Sequence, residues 1–168
     1  MTIKIGERLP EGTLSEFIDI ATEGCALGPN AVNVAAALKG KTIAILALPG
    51  AFTPTCSAKH LPGYIQHADQ FKAKGVDEIW CLAVNDAFVM GAWGREQKAV
   101  GIVRLLGDGS AIYTKALGLD ADFTDRGMGI RSQRYSMLVV DGVVKQLNVE
   151  AAGKFDVSTA ETLLAQLG

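Results

Sequence analysis

The chain has 168 residues, 49% of them hydrophobic, with 16 basic and 18 acidic side chains and a net charge of −2 at neutral pH. That size and apolar content suit one domain over residues 1–168 with a substantial core, and the mixed charges, with no basic block, argue against nucleic acid or an anionic membrane as partner. A small-molecule substrate is the better fit. No apolar run approaches the roughly 20 residues of a membrane helix and the first six residues lack a signal core, so a cytoplasmic protein is expected. Three cysteines, Cys25, Cys56 and Cys81, are an odd number without framework spacing, which suggests reduced thiols.

In chain order, Cys25 lies in the glycine-flanked segment Glu23 to Gly28, read as an exposed loop. The β-branched, apolar run Lys41 to Leu48 then reads as a buried strand, ended abruptly by Pro49-Gly50. Pro54 suits the first turn of a helix, where a fixed φ and a missing amide hydrogen cost nothing. Cys56 therefore falls where free backbone N–H groups and the positive end of the dipole favour a thiolate. Thr53 and Cys56 stand at the two positions that a C-x-x-C oxidoreductase fills with cysteines, so the helix-start geometry is kept while the dithiol chemistry is lost. The plain alternatives are a buried small hydrophobe for Cys56 and a helix cap for Thr53.

Beyond this helix, which is expected to bend at Leu61-Pro62-Gly63, Glu78 to Val84 reads as a second buried strand ending in an Asn85-Asp86 helix cap. A helix over Ala87 to Ala99 follows, then a strand at Val103 to Leu106 and a turn at Gly107-Asp108-Gly109. Alternating strand and helix point to an α/β domain with parallel pairing. The glycine-rich stretch Thr124 to Ile130 reads as a surface loop. Tyr135 to Val140, Asp141-Gly142 and Val143 to Val149 form a hairpin with a favoured two-residue turn, adding antiparallel strands to the sheet. Ser158 to Glu161 has the form of a capping box, and Leu163, Leu164 and Leu167 give the last helix an apolar face.

With Pro49, Thr53 and Cys56 in the pattern Pro-x-x-x-Thr-x-x-Cys and with Arg134-Tyr135-Ser136-Met137 opening the hairpin, the chain resembles the peroxiredoxins over nearly its full length. The stretches Lys59 to Tyr64, Ala83 to Met90 and Val144 to Glu150 are similar to the type II subfamily in particular. The resemblance implies a thioredoxin-like fold, a central mixed β-sheet flanked by helices, and a thiol peroxidase acting on hydrogen peroxide and organic hydroperoxides without metal, haem or flavin. Carried over by position, Cys56 is the nucleophile that becomes a sulfenic acid, Thr53 orients the peroxide, and Pro49 shields the pocket. Arg134 holds the thiolate and binds substrate with Thr53 and Cys56. Arg131, three residues away, is the competing assignment, and Arg134 is preferred because it directly precedes the strand. His60, one turn beyond Cys56, either tunes the site or packs beneath it.

In some relatives a resolving cysteine follows the Asn148-Val149-Glu150 motif. Here Ser158 stands in that region and no cysteine follows Cys81. Cys81 lies 25 residues after Cys56 (81 − 56) and is either core packing within its apolar strand or a resolving thiol reached by local unwinding. The expected reductant is glutathione as co-substrate with glutaredoxin as partner, with thioredoxin as the alternative, and a peroxide sensor is the non-enzymatic alternative. The resemblance also implies a homodimer, for which Phe52, Phe88 and Trp93 are candidate contacts or core residues.

Overall fold

The computed structural model describes residues 1–19 and 27–168. Cys25 lies outside the described residues. The elements are β1 (Thr13–Ile18), β2 (Gly28–Asn33), α1 (Val34–Leu38), β3 (Thr42–Ala47), a π-helical turn (Cys56–His60) running into α2 (Leu61–Gln66), α3 (Ala68–Ala73), β4 (Glu78–Ala83), α4 (Ala87–Glu96), β5 (Arg104–Gly107), α5 (Ile112–Leu117), β6 (Asp120–Phe123), a 3-10 turn (Thr124–Arg126), β7 (Gly129–Ser132), β8 (Tyr135–Val140), β9 (Val143–Val149) and α6 (Ala160–Gln166). Seven strands form one sheet in the order β2-β1-β5-β4-β3-β8-β9. Strands β3, β4 and β5 pair in parallel, while β8 and β1 flank them antiparallel. This is the mixed, helix-flanked sheet of the thioredoxin-like fold.

β3 is buried on both faces, as its continuous apolar run requires. Ala44, Leu46 and Leu48 point into one core with Cys56, Tyr64, Cys81 and Trp93, whereas Ile43, Ile45 and Ala47 face the other with Trp80, Tyr135 and Met137. The β8–β9 hairpin turns on Asp141 and Gly142, both at positive φ (48° and 80°), as a type I′ turn demands. Asp86 caps α4 by accepting from the Val89 amide at 2.9 Å. These parts follow the sequence reading.

Elsewhere the structure corrects it. α4 ends at Glu96 rather than Ala99, because Lys98 takes a left-handed backbone (φ 57°) and breaks the turn. The stretch Thr124 to Ile130 is not simply a loop: it carries the turn between β6 and β7, a two-stranded sheet of its own. The cap of α6 is Thr159, whose hydroxyl accepts from the Thr162 amide at 3.1 Å. Ser158 stands one residue before that cap, and its hydroxyl donates to the Glu150 carboxylate. Strands β1 and β2 and helix α5 carry no short motif and were not read from the sequence.

Across the sheet, Arg104 on β5 grips Glu16 of β1 with two bonds, 2.8 and 3.0 Å, and Glu78 of β4 with a third, 2.8 Å. Lys41 adds a 2.6 Å pair to Glu78. Partial burial opposes ionisation of Glu78, but the bonds from Lys41, Arg104 and Trp80 outweigh it and bring its pKa down to about 2 from 4.5. The folded state thus keeps a carboxylate that the unfolded chain protonates first, so its stabilisation is complete above pH 4.5 and disappears as pH falls toward 2. In denaturant melts, Glu78→Gln is expected to be less stable than wild type at pH 7, with the gap closing over that acid range.

Candidate active site

The sheet itself explains why residues far apart in sequence meet. β8 runs antiparallel to β3 with Ala47 opposite Tyr135, so the end of β3 and the start of β8 lie at one edge of the sheet. The chain leaves β3 through Pro49 and Gly50 and enters helix at Pro54, while Arg134 is the residue immediately before β8. Cys56 and Arg134 are 78 positions apart, yet the Arg134 Nη2 donates to Cys56 Sγ at 3.1 Å. Cys56 is fully buried. A buried sulfur thus faces a permanent guanidinium charge across a hydrogen bond.

The connecting loop is held from two sides. The Ala51 amide donates to Asn85 Oδ1 at 2.9 Å, which ties the loop to the end of β4. Arg131 donates to the Met128 carbonyl at 2.9 Å and the Pro49 carbonyl at 3.3 Å. Its guanidinium lies so close to Gly50 that a Cβ there would sit 2.7 Å from Nη1 and would push the guanidinium aside. Arg131 therefore supports the loop, and Arg134 reaches the thiol. Phe52 adopts a left-handed backbone (φ 64°), a strained conformation for a bulky residue in the tight turn before the helix.

The Thr53 hydroxyl donates to the Gly50 carbonyl at 2.7 Å rather than capping the helix as an acceptor. Its own oxygen lone pairs remain able to accept an O–H. Beginning at Cys56 the helix widens into a π turn, with the Leu61 amide bonding the Cys56 carbonyl. Pro62 follows directly and has no amide to continue the normal ladder. The Ser57 hydroxyl accepts from Trp93 Nε1 at 3.0 Å, anchoring this turn to α4. Trp93 is thus a core residue. Phe52 and Phe88 are 52% and 63% exposed.

His60 is fully buried and bridges two partners. Nε2 lies 3.0 Å from the Ser158 carbonyl, and Nδ1 lies 2.9 Å from Arg134 Nη1. A carbonyl takes a proton and a guanidinium gives one, so the partners assign the neutral ring with hydrogen on Nε2. Burial, reinforced by the Arg134 charge, lowers the His60 pKa to about 3. Phe155 covers both groups, with its ring centroid 5.0 Å from the His60 ring and 5.8 Å from the Arg134 guanidinium carbon. Sequence reasoning missed Phe155, which lies in a loop with no periodic signal.

Cys81 is also fully buried, in the middle of β4 between Leu46 and Leu105. Burial pushes its thiol well above the ordinary range. It shares a core cluster with Cys56, and neither is in a disulfide. A hollow of about 540 Å³ opens beside Arg134, lined among others by Pro49, Thr53, Phe123, Met128 and Phe155. A second hollow, about 600 Å³, is lined by Phe17, Met90 and Leu105 among others, and no cysteine or histidine is among the described residues that line it. Among the described residues no cluster of His, Cys, Asp and Glu could hold a metal ion.

The His60 assignment has a direct check. Below pH 6.5 the unfolded chain binds a proton at His60 that the folded state refuses until about pH 3. The associated stability is complete above 6.5 and declines as pH falls toward 3. Ring NMR signals of His60 are expected to stay in the neutral, Nε2-protonated form from about pH 5 to 8. A midpoint near 6.5 in the folded protein would refute the assignment.

Residues 4–164 match the Redoxin family. Peroxiredoxin-2B of Arabidopsis thaliana is 46% identical over 98% of both chains. Chloroplastic peroxiredoxin-2E-2 of Oryza sativa is 48% identical over 99% of this chain and 73% of its own length. The structure of reduced Prx3 from Vibrio vulnificus in complex with hydrogen peroxide superposes with a TM-score of 0.91 at 51% identity, covering 99% of this chain and 100% of that one. A Burkholderia cenocepacia structure with the provisional name thioredoxin reductase has a TM-score of 0.99 at 59% identity, over 100% of this chain and 99% of that one. Thr53 in place of a second cysteine sets this chain apart from dithiol chemistry at that position. By the Redoxin match and by these relatives, the chain belongs to the peroxiredoxin family.

Proposed function

We propose that this peroxiredoxin reduces hydrogen peroxide and organic hydroperoxides with Cys56 as nucleophile, and that glutathione and glutaredoxin return it to the thiol. The observation that carries the reading is the 3.1 Å contact between Arg134 Nη2 and the buried Cys56 sulfur. The Cys56 thiolate attacks the terminal oxygen of the peroxide, the O–O bond breaks, and the departing oxygen takes a proton to leave as water or an alcohol. Thr53 accepts from the peroxide O–H and so aligns it for in-line displacement. Arg134 supports the thiolate first and the charge on the departing oxygen later. Pro49 excludes water from the approach.

The sulfenic acid then condenses with one glutathione, releasing water and leaving a mixed disulfide. A second thiol equivalent, delivered through glutaredoxin, frees Cys56 and yields oxidised glutathione. The absence of cysteine after Cys81 supports this route. One observation favours a second reading: Cys81 shares the core cluster of Cys56, so unwinding the helical turn would let the two form a disulfide for thioredoxin to reduce. The exposed Phe52 and Phe88 rings supply an apolar surface for a second copy of the chain. A sensor would react about once, whereas a peroxidase turns over.

NADPH-coupled turnover with glutathione, glutaredoxin and glutathione reductase tests the proposal. Cys56→Ser is expected to abolish it, and Cys81→Ser to leave it largely intact. Loss in both folded variants would make Cys81 the resolving thiol. Robust turnover with thioredoxin but none with glutathione and glutaredoxin would sink the reductant. Arg134→Ala is expected to slow the peroxide reaction by roughly 10²-fold or more, as for loss of a key electrostatic donor, and near-normal rates would remove Arg134 from the chemistry.

A further inference from the structure

Among the described residues no carboxylate pairs with Arg134, whose guanidinium meets His60 and the Cys56 sulfur. Its orientation depends on His60, and the orientation of His60 depends on one backbone carbonyl, that of Ser158. This carbonyl uses both lone pairs, accepting from His60 Nε2 and from the Tyr64 hydroxyl, each at 3.0 Å. What points it inward is the Glu150 carboxylate. Glu150 gathers four donors from the end of its own loop: the amides of Asp156, Val157 and Ser158 at 2.8 to 3.0 Å and the Ser158 hydroxyl at 2.7 Å. The Glu150 amide in turn donates to the Arg134 carbonyl at 2.9 Å.

Glu150 therefore grips both supports of the pair, the backbone of Arg134 directly and the carbonyl under His60 through the closed loop. Phe155, inside that loop, packs on both side chains. We propose that Glu150 is a positioning residue for Cys56: its clamp on residues 156–158 fixes the Ser158 carbonyl, which holds His60 in the form that aims Arg134 at the sulfur. Burial alone would make this carboxyl easier to protonate, but the converging bonds hold it below the ordinary carboxylate range, so it stays an acceptor. The proposal rests on the reading of Cys56 as the nucleophile.

The plainer alternative is that Glu150 only stabilises a loop. The two separate by the sign of one shift. Removing a nearby negative charge would by itself make the Cys56 thiolate easier to form, whereas loosening Arg134 would make it harder. The test uses the full chain with Glu150→Gln, whose amide group meets the amide donors with hydrogens of its own. The readouts are the rate with hydrogen peroxide, the melting temperature, and the pH midpoint of iodoacetamide alkylation at Cys56, followed by peptide mass. We expect the peroxide rate to fall about 10-fold or more, as for loss of other outer supports of a reacting group, and the alkylation midpoint to move upward. Ser158→Ala, which removes one donor and leaves the carboxylate and three amides, should shift the midpoint in the same direction by less.

A folded Glu150→Gln protein with a midpoint unchanged or lowered overturns the proposal, whatever its melting temperature. If that variant does not fold, Ser158→Ala decides, and an unshifted midpoint there overturns it. Alkylation needs no peroxide. A wild-type protein that failed to reduce peroxide would therefore sink the peroxidase reading while leaving the clamp decided on its own evidence.

Discussion

The contact between the Arg134 guanidinium and the Cys56 sulfur is the constraint around which the site is arranged. A thiolate taken out of water is costly unless a charge faces it. The guanidinium supplies that charge because its other partner is neutral. Where a carboxylate would have paired with Arg134 and cancelled it, the structure places an uncharged imidazole acting as acceptor. Burial together with the Arg134 charge keeps the imidazole uncharged, so the two effects reinforce each other. The nearby carboxylate, Glu150, spends its oxygens on backbone amides and a serine hydroxyl.

Around this pair, the backbone is irregular where the chemistry is. Phe52 is left-handed, Gly50 admits the Arg131 guanidinium, and the helix opens into a π turn at Cys56 before Pro62. Each feature departs from the regular ladder at a point where a long-range contact compensates, from Asn85, Arg131 or Trp93. Regular elements provide the frame: β3 and β8 bring their ends together by antiparallel register, and the Arg104 cross-links secure the strands on the other side of β3.

Cys81 illustrates how one face of a strand sets a residue's options. Its alternation with Trp80 and Leu82 puts it on the Cys56 side of the sheet, inside the same core. The two thiols belong to one core cluster, and burial disfavours the Cys81 thiolate. Chemistry at Cys81 therefore requires opening of the core that encloses it.

Much of this protein was legible in its sequence because the signals were local. The apolar run of β3, the Pro54 and Asp86 helix starts, the Asp141-Gly142 turn and the spacing of Pro49, Thr53 and Cys56 depend on backbone physics within a few residues. The sheet places the residue before a strand end, and there the Arg134 guanidinium bonds the Cys56 sulfur while Arg131 bonds the Pro49 carbonyl. What stayed hidden depended on distant partners. Ser158 matched a helix cap by pattern, but Thr159 caps α6 and the Ser158 hydroxyl donates to Glu150, an acceptor eight residues back that no local rule anticipates. The stretch Thr124 to Ile130 looked like a loop because the short strands that it joins pair only with each other. The sequence by itself determined the place of Cys56 at a helix start and the succession of the main strands along the chain. Only the tertiary structure decided which arginine reaches the sulfur, which form His60 takes and what Phe155 and Glu150 support, because those outcomes arise from groups that meet only when the sheet has closed.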